Sequence, residues 1–309
     1  MTGTLTPRLA DALAGEPLVL DGGMAGVLEA AGHDLSDHLW SARLLIDRPE
    51  AVTEAHLAYF AAGADVAITA GYQATFEGFG RRGIGREEAA RLMALSVGLA
   101  REAARRAHAA GAARPLWVAA SVGPYGAMLA DGSEYRGRYG LSVAELERFH
   151  RPRLEVLAAA APDVLALETV PDADEAAALL RAVRGLGVPA WLSYSVDGRH
   201  TRAGQPLEEA FAPAADADEV IAVGVNCCSP QDAEYAVRTA ARVTGKPVVV
   251  YPNSGETWDA AARAWTGRST FTAERVQGWR DAGARLIGGC CRVDPETIAS
   301  VARILTRQD

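Results

Sequence analysis

Eight short apolar runs alternate with longer amphipathic stretches along the chain. The runs are PLVLDGG at 17–23, VAITAGY at 66–72, LWVAASVG at 116–123, DVLALETV at 163–170, AWLSYSV at 190–196, VIAVGVNC at 220–227, PVVVYPN at 247–253 and ARLIGGC at 284–290. Several are almost continuously apolar, the pattern of parallel strands covered on both faces. The intervening segments read as helices. PEAVTEAHLAYFAAG at 49–63 starts on a proline suited to a first turn and ends on a glycine suited to a C-cap. A long Ala-rich amphipathic stretch fills 86–111. The segment 172–187 opens with acids and closes with arginines and glycine, matching the helix dipole. Ser229 is placed to cap 229–245. Two more helical segments, FTAERVQGWRDAG and DPETIASVARILTR, flank the eighth run.

This alternation predicts an α/β fold of the (β/α)8, or TIM barrel, type, with residues 1–309 forming one domain. A doubly wound sheet would give the same βαβ rhythm. The count of eight favours the barrel, as does the gathering of polar residues at the C-terminal ends of several strands, where barrel enzymes place their sites. No linker or internal repeat interrupts the pattern. The stretch 123–150 is expected to be the largest non-regular insertion; rich in glycine and tyrosine, it has the character of an active-site loop.

Composition narrows the function. The chain is 49% hydrophobic and 23% charged, ordinary for a globular protein long enough to bury a large core. A net charge of −8 with no basic stripe gives nucleic acid no electrostatic footprint. No run of about 18 apolar residues and no signal-peptide pattern is present, so the expectation is a cytoplasmic protein with no membrane partner. The single lysine, Lys246, sits at the start of the seventh run, the wrong end for a site. That argues against pyridoxal or lysine-aldolase chemistry.

The chemistry gathers on cysteine. Cys227 closes the sixth strand, and Cys290 and Cys291 follow Gly288 and Gly289 at the end of the eighth, where glycines permit a sharp turn. In a barrel both ends rim the same mouth. Three thiolates converging there leave a fourth position open, the pattern of a catalytic Zn2+ site. Two other readings of these cysteines remain: inert buried thiols, and a structural zinc completed by Cys228. An all-sulfur shell is electron-rich and a poor Lewis acid. It suits the holding of a further thiol as thiolate. The fitting electrophile needs no general acid, such as a methyl on a sulfonium or ammonium centre. No H-E-x-x-H or comparable hydrolase motif is present.

These residues resemble the homocysteine S-methyltransferases over nearly the whole chain. The resemblance rests on LDGGMAGVLEAAG, AGADVAITAGYQAT, SVGPYGAMLADGSEYRGRYG, LALETVPDADEA, GVNCCSP, VVVYPNSGETWD and LIGGCCRVDP. It implies that Cys227, Cys290 and Cys291 ligate zinc and activate homocysteine, yielding methionine. It also implies that Glu168 meets the substrate ammonium and that the Asp21–Gly22–Gly23 turn lies against the amino acid, with Thr69 and Gln73 in the pocket. The bland alternatives are a helix cap or an arginine partner for Glu168 and a simple turn at Asp21. Ala70 and Gly71 stand where the family usually carries small hydroxylated residues. Asn253 is expected to order the pocket, and Asn226 either to hold a thiolate by a hydrogen bond or to serve a purely structural role. GSEYRG and YPNSGETWD look more like the branch using S-methylmethionine, or S-adenosylmethionine with lower preference, than the betaine branch. Trp258, Tyr135 and Tyr139 are candidates to face the sulfonium. Selenocysteine as acceptor, betaine as donor and a non-enzymatic zinc- or redox-sensing thiol protein are the rival functions.

Overall fold

The computed structural model describes residues 7–35, 39, 41–259 and 264–306. Eight parallel strands form the ring: β1 Leu18–Val19, β2 Val66–Ile68, β3 Trp117–Val122, β4 Val164–Val170, β5 Ala190–Tyr194, β6 Val220–Asn226, β7 Val248–Tyr251 and β8 Ala284–Ile287. Each lies within one of the eight apolar runs of the sequence. Pairing runs from β2 through β3, β4, β5, β6, β7 and β8 to β1. The ring closes where Leu20 bridges Val66, and the Asp21 carboxylate accepts the Ile68 N–H at 2.8 Å across the same seam. The fold is thus the expected (β/α)8 barrel.

The strands are buried on both faces, as their continuous apolar runs imply. On β4, Val164 and Ala166 point into the barrel lumen with Trp117, Trp191, Ala222 and Val249, while Leu165 and Leu167 join the larger core beneath the helices. The period of two then turns Glu168 inward at the C-terminal mouth. The opposite end is plugged by Leu9 and Leu13 from the N-terminal helical turn, and the Trp117 indole donates to Pro7 O at 2.8 Å. Polar residues at that end tie strands together. Asp65 accepts from Val19 N at 2.9 Å, and Asp163 accepts from Val118 N at 2.7 Å. Lys246 Nζ donates to Ala217 O and Val220 O, and so lies away from the mouth.

The expected insertion at 123–150 is shorter than the sequence suggested. It folds as a helix Tyr125–Leu129 and a 3₁₀ turn Ser133–Tyr135, and a regular helix, Val143–Ala159, then begins. A capping box starts that helix: Ser142 accepts from Glu145 N, and Glu145 reaches back to Ser142 N. Two small hairpins, Val196–Asp197 with His200–Thr201 and Thr257–Asp259 with Ala264–Thr266, complete the rim.

Helix Pro49–Ala61 carries His56, fully buried with neither ring nitrogen hydrogen-bonded. Burial lowers its pKa to about 4. The folded protein therefore refuses a proton that the unfolded chain accepts near pH 6.5. Stability is unaffected above that pH and falls as pH drops towards 4. Between pH 7 and 5 this contribution is about 2 kcal/mol. His56→Leu is expected to reduce the loss of unfolding free energy over that interval by a similar amount, measured by denaturant titration at both pH values.

Candidate metal centre and substrate pocket

The C-terminal ends of β6 and β8 bring three cysteines together. Cys227 Sγ lies 2.8 Å from Cys290 Sγ and 3.9 Å from Cys291 Sγ. All three sulfurs fall within 4.8 Å of one another, the one such group of metal-ligating side chains among the described residues. Backbone geometry puts them there. Cys227 takes a left-handed conformation, φ 49°, at the strand end, which costs on the order of 1 kcal/mol or more for a non-glycine residue. Its carbonyl accepts from Ser195 Oγ at 3.2 Å and its N–H donates to Tyr251 O at 3.3 Å. Asn253 accepts from Cys291 N–H at 3.1 Å and so fixes the loop after β8.

The paired glycines act through their missing Cβ atoms and not through a left-handed backbone. Neither Gly288 nor Gly289 has a positive φ. A Cβ on Gly288 would stand 2.6 Å from Asp21 O, and one on Gly289 would meet Val293 at 2.2 Å. Gly288 lets the turn after β1 lie directly against the end of β8, and Gly289 lets the cysteine loop turn back on its own Val293. Gly22 and Gly23 belong to the same contact, since added Cβ atoms would meet Val293 O at 2.3 Å and Cys290 O at 2.6 Å.

The donor set fits a soft cation. A tetrahedral ion about 2.3 Å from each sulfur sets the sulfurs roughly 3.8 Å apart. The 3.9 Å pair meets that spacing and the 2.8 Å pair would open on binding. Hydrogen bonds from Cys227 and Cys290 hold Cys291 well below the usual thiol range, while Cys290 is raised. Burial keeps Cys228 a neutral thiol outside the group, so it does not complete a four-cysteine structural site.

Two buried carboxylates face the same mouth. Glu168 accepts a short hydrogen bond from Ser121 Oγ, and burial raises its pKa to about 7. Asp21 is 2% exposed, its Oδ1 lacks a partner, and burial and then the nearby Glu168 charge raise its pKa. No arginine, lysine or histidine is paired with either among the described residues.

The family model described as Homocysteine S-methyltransferase matches residues 18–305. The chain belongs to the homocysteine S-methyltransferase family. It is 48% identical to Homocysteine S-methyltransferase 4 of Zea mays over 94% of this chain and 90% of that one. It is 45% identical to Homocysteine S-methyltransferase YbgG of Bacillus subtilis, over 92% and 93%. Among solved structures, the metallated form of the homocysteine methyltransferase MmuM from Escherichia coli superposes with a TM-score of 0.87 at 43% identity, covering 96% of this chain and 99% of that one.

In this family member the remaining expected residues spread around the rim. Thr69 Oγ1 accepts from Ser121 N at 3.1 Å, and Gln73 Nε2 donates to Ala127 O at 3.3 Å. Both are buried, and they brace the ends of β2 and β3. Asn226 does not hold a thiolate. Its Oδ1 accepts from Thr169 N and Ser193 Oγ, and its Nδ2 donates to Thr169 Oγ1 at 2.7 Å. It locks the ends of β4, β5 and β6, including Thr169 at φ 57°. Tyr135 brings its hydroxyl 3.9 Å from Cys227 Sγ, with the Arg202 guanidinium 5.7 Å from its ring centroid. Tyr139 turns elsewhere and packs on Tyr125. The backbone of Trp258 pairs with Trp265, and its side chain lies outside the described residues.

The sequence reading missed the buried group that seats the loop after β3. Glu175 accepts from Tyr125 N at 2.5 Å and pairs with His150 at 2.8 Å, while Arg153 bonds His150 Nδ1 and the Gly123 carbonyl. It also passed over Tyr72, which neighbours Gln73 and whose hydroxyl is buried near Cys227.

Partners that orient a ligand set typically contribute 10- to 100-fold in metal affinity, as a rough range. Asn253→Ala frees the Cys291 N–H. It is expected to weaken metal binding by about that factor, read by chelator competition, with little change in the circular dichroism spectrum.

Proposed function

We infer that this chain is a zinc-dependent enzyme that methylates homocysteine to methionine with a sulfonium donor, S-methylmethionine or, less readily, S-adenosylmethionine. The observation that carries this reading is a donor set of three sulfurs, Cys227, Cys290 and Cys291, with no fourth protein ligand in the group. Sulfur softness selects zinc over magnesium or calcium. Zinc, when bound, supplies a fourth position at which a substrate thiol stays deprotonated.

The chain's own residues do the rest. Glu168 and Asp21, two buried carboxylates in need of a cation, receive the homocysteine ammonium. The interlocked turn at Gly22 and Gly23 supplies backbone against the amino acid. Thr69 and Gln73 hold the β2 rim in place. In the transfer step a lone pair on the homocysteine sulfur forms the new S–CH3 bond. The old C–S bond breaks, and its electron pair stays on the donor sulfur as a neutral thioether. No proton moves in this step, so the carboxyls of the pocket are free to bind charge and are not needed as acid or base. Fixing both sulfurs in line with the methyl carbon supplies much of the acceleration.

Cys227→Ser is expected to lose zinc and all measurable methyl transfer while keeping the fold, checked by metal analysis, circular dichroism and methionine formation. Wild-type turnover with S-methylmethionine, S-adenosylmethionine and betaine ranks the donors; a betaine preference overturns the sulfonium reading. Stoichiometric zinc with no turnover on any donor points to a thiol sensor instead. Glu168→Gln is expected to raise KM for homocysteine about tenfold or more, since a charged hydrogen-bond partner is lost from a buried site.

A further inference from the structure

The loop after β3 brings a third carboxylate to the mouth. Glu134 lies in the 3₁₀ turn Ser133–Tyr135, directly before the tyrosine whose hydroxyl reaches Cys227 Sγ. The turn is wedged in place: a Cβ on Gly126 would stand 2.4 Å from Glu134 N, so the turn sits directly on the backbone of helix Tyr125–Leu129. Glu134 is 5% exposed, and its Oε2 is shielded from solvent with no hydrogen-bond partner. The neighbouring cation, Arg136, is largely exposed and directed at Asp131, 3.9 Å away. Glu134 lies within electrostatic reach of Cys227, Tyr72 and Tyr139. A buried carboxylate without a partner is costly unless something charged or hydrogen-bonding meets it.

The other two carboxylates do not explain it. Asp21 and Glu168 sit on the ends of β1 and β4 and neighbour each other, and one substrate ammonium satisfies that pair. Glu134 comes instead from the loop after β3, in the turn whose Tyr135 hydroxyl lies 3.9 Å from Cys227 Sγ.

We propose that Glu134 is the cation-recognising wall of the methyl-donor subsite, its carboxylate facing the positively charged end of a sulfonium amino acid above the cysteine cluster. This rests on the methyl-transfer reading above. The chemistry sets what such a group does. The sulfonium charge is full in the bound donor and fades as the methyl leaves with its bond pair going to the donor sulfur. Attraction to Glu134 is therefore stronger in the ground state than in the transition state, and its benefit appears as donor affinity. It also discriminates: once the methyl has left, the product is a neutral thioether that the carboxylate no longer holds, so product release is favoured.

The test uses the zinc-loaded full chain. Glu134→Gln is expected to raise KM for S-methylmethionine about tenfold while KM for homocysteine and zinc content hold. Wild-type protein without homocysteine is expected to bind S-methylmethionine at least about tenfold more tightly than methionine by calorimetry, and the variant to lose most of that ratio. Equal wild-type affinities for the sulfonium and the thioether overturn the proposal without needing any variant. So does a donor KM that Glu134→Gln leaves unmoved, or a rise confined to homocysteine. Failure of the wild type to transfer a methyl from any sulfonium is a different result, and it sinks the functional reading itself.

Discussion

Three thiols held within a few ångströms of one another are the constraint from which the rest of this molecule follows. They come from strands that are not neighbours in the ring, β6 and β8, with β7 between them. Bringing Cys227 into range requires a left-handed backbone at the end of β6. Bringing Cys290 and Cys291 into range requires Gly288, whose missing Cβ admits the β1 turn, and Gly289, whose missing Cβ lets the loop fold back on Val293. Neither arrangement is locally favourable. Both persist because the surroundings over-determine them: Asn226 ties β4, β5 and β6, and Asn253 clamps the Cys291 amide. Such strain is tolerable on a closed barrel, where a filled lumen and the Asp65 and Asp163 clips stabilise the opposite end.

The two ends of the barrel accordingly treat charge in opposite ways. At the N-terminal end, Asp65 is paired with Arg114 and Asp163 with Arg101, and Lys246 is bound to carbonyls. At the mouth, Asp21, Glu168 and Glu134 are buried and form no ion pair among the described residues, and burial raises the pKa of each. Unpaired acids at one end and paired acids at the other are what a site looks like when the balancing charges arrive with the ligands.

Most of this was legible in the chain. The strands announce themselves as apolar runs bounded by glycine and proline, and every one of the eight falls where its run lies. Glu168 was readable too, because the period of two along VLALE turns it inward with Val164 and Ala166. The misreadings share a cause, which is that they depend on contacts between distant segments. Gly289 does serve the turn, but Gly288 also makes room for the β1 loop, which the local sequence does not announce. Asn226 looks like a partner for the adjacent thiol, but its amide faces Thr169 and Ser193 on neighbouring strands. The start of helix Val143–Ala159 was hidden by the glycines before it, although Ser142 and Glu145 carry a local capping signal. Tyr72 and Glu134 carry no signal of their own, since only the closed barrel brings the end of β2 and the loop after β3 near Cys227.

The burial of the site suits the reaction better than any acid or base would. Methyl transfer from a sulfonium to a thiolate joins a cation and an anion into two neutral thioethers, so charge disappears along the path. Water stabilises the separated charges of the reactants more than the dispersed charge of the transition state, and its removal therefore favours the forward step. A mouth lined by Asp21, Glu168 and Glu134 performs the complementary task of drawing charged substrates into that dry site. An attraction too strong or too near the reacting sulfur would oppose the transfer. Asp21 and Glu168 therefore belong at the ammonium end of homocysteine, and Glu134 alone meets the sulfonium, where its attraction serves donor binding and not the transfer step. Mutual proximity of Cys227, Cys290 and Cys291, with the acids on β1, β4 and the β3 loop around them, is that division of labour written into the barrel.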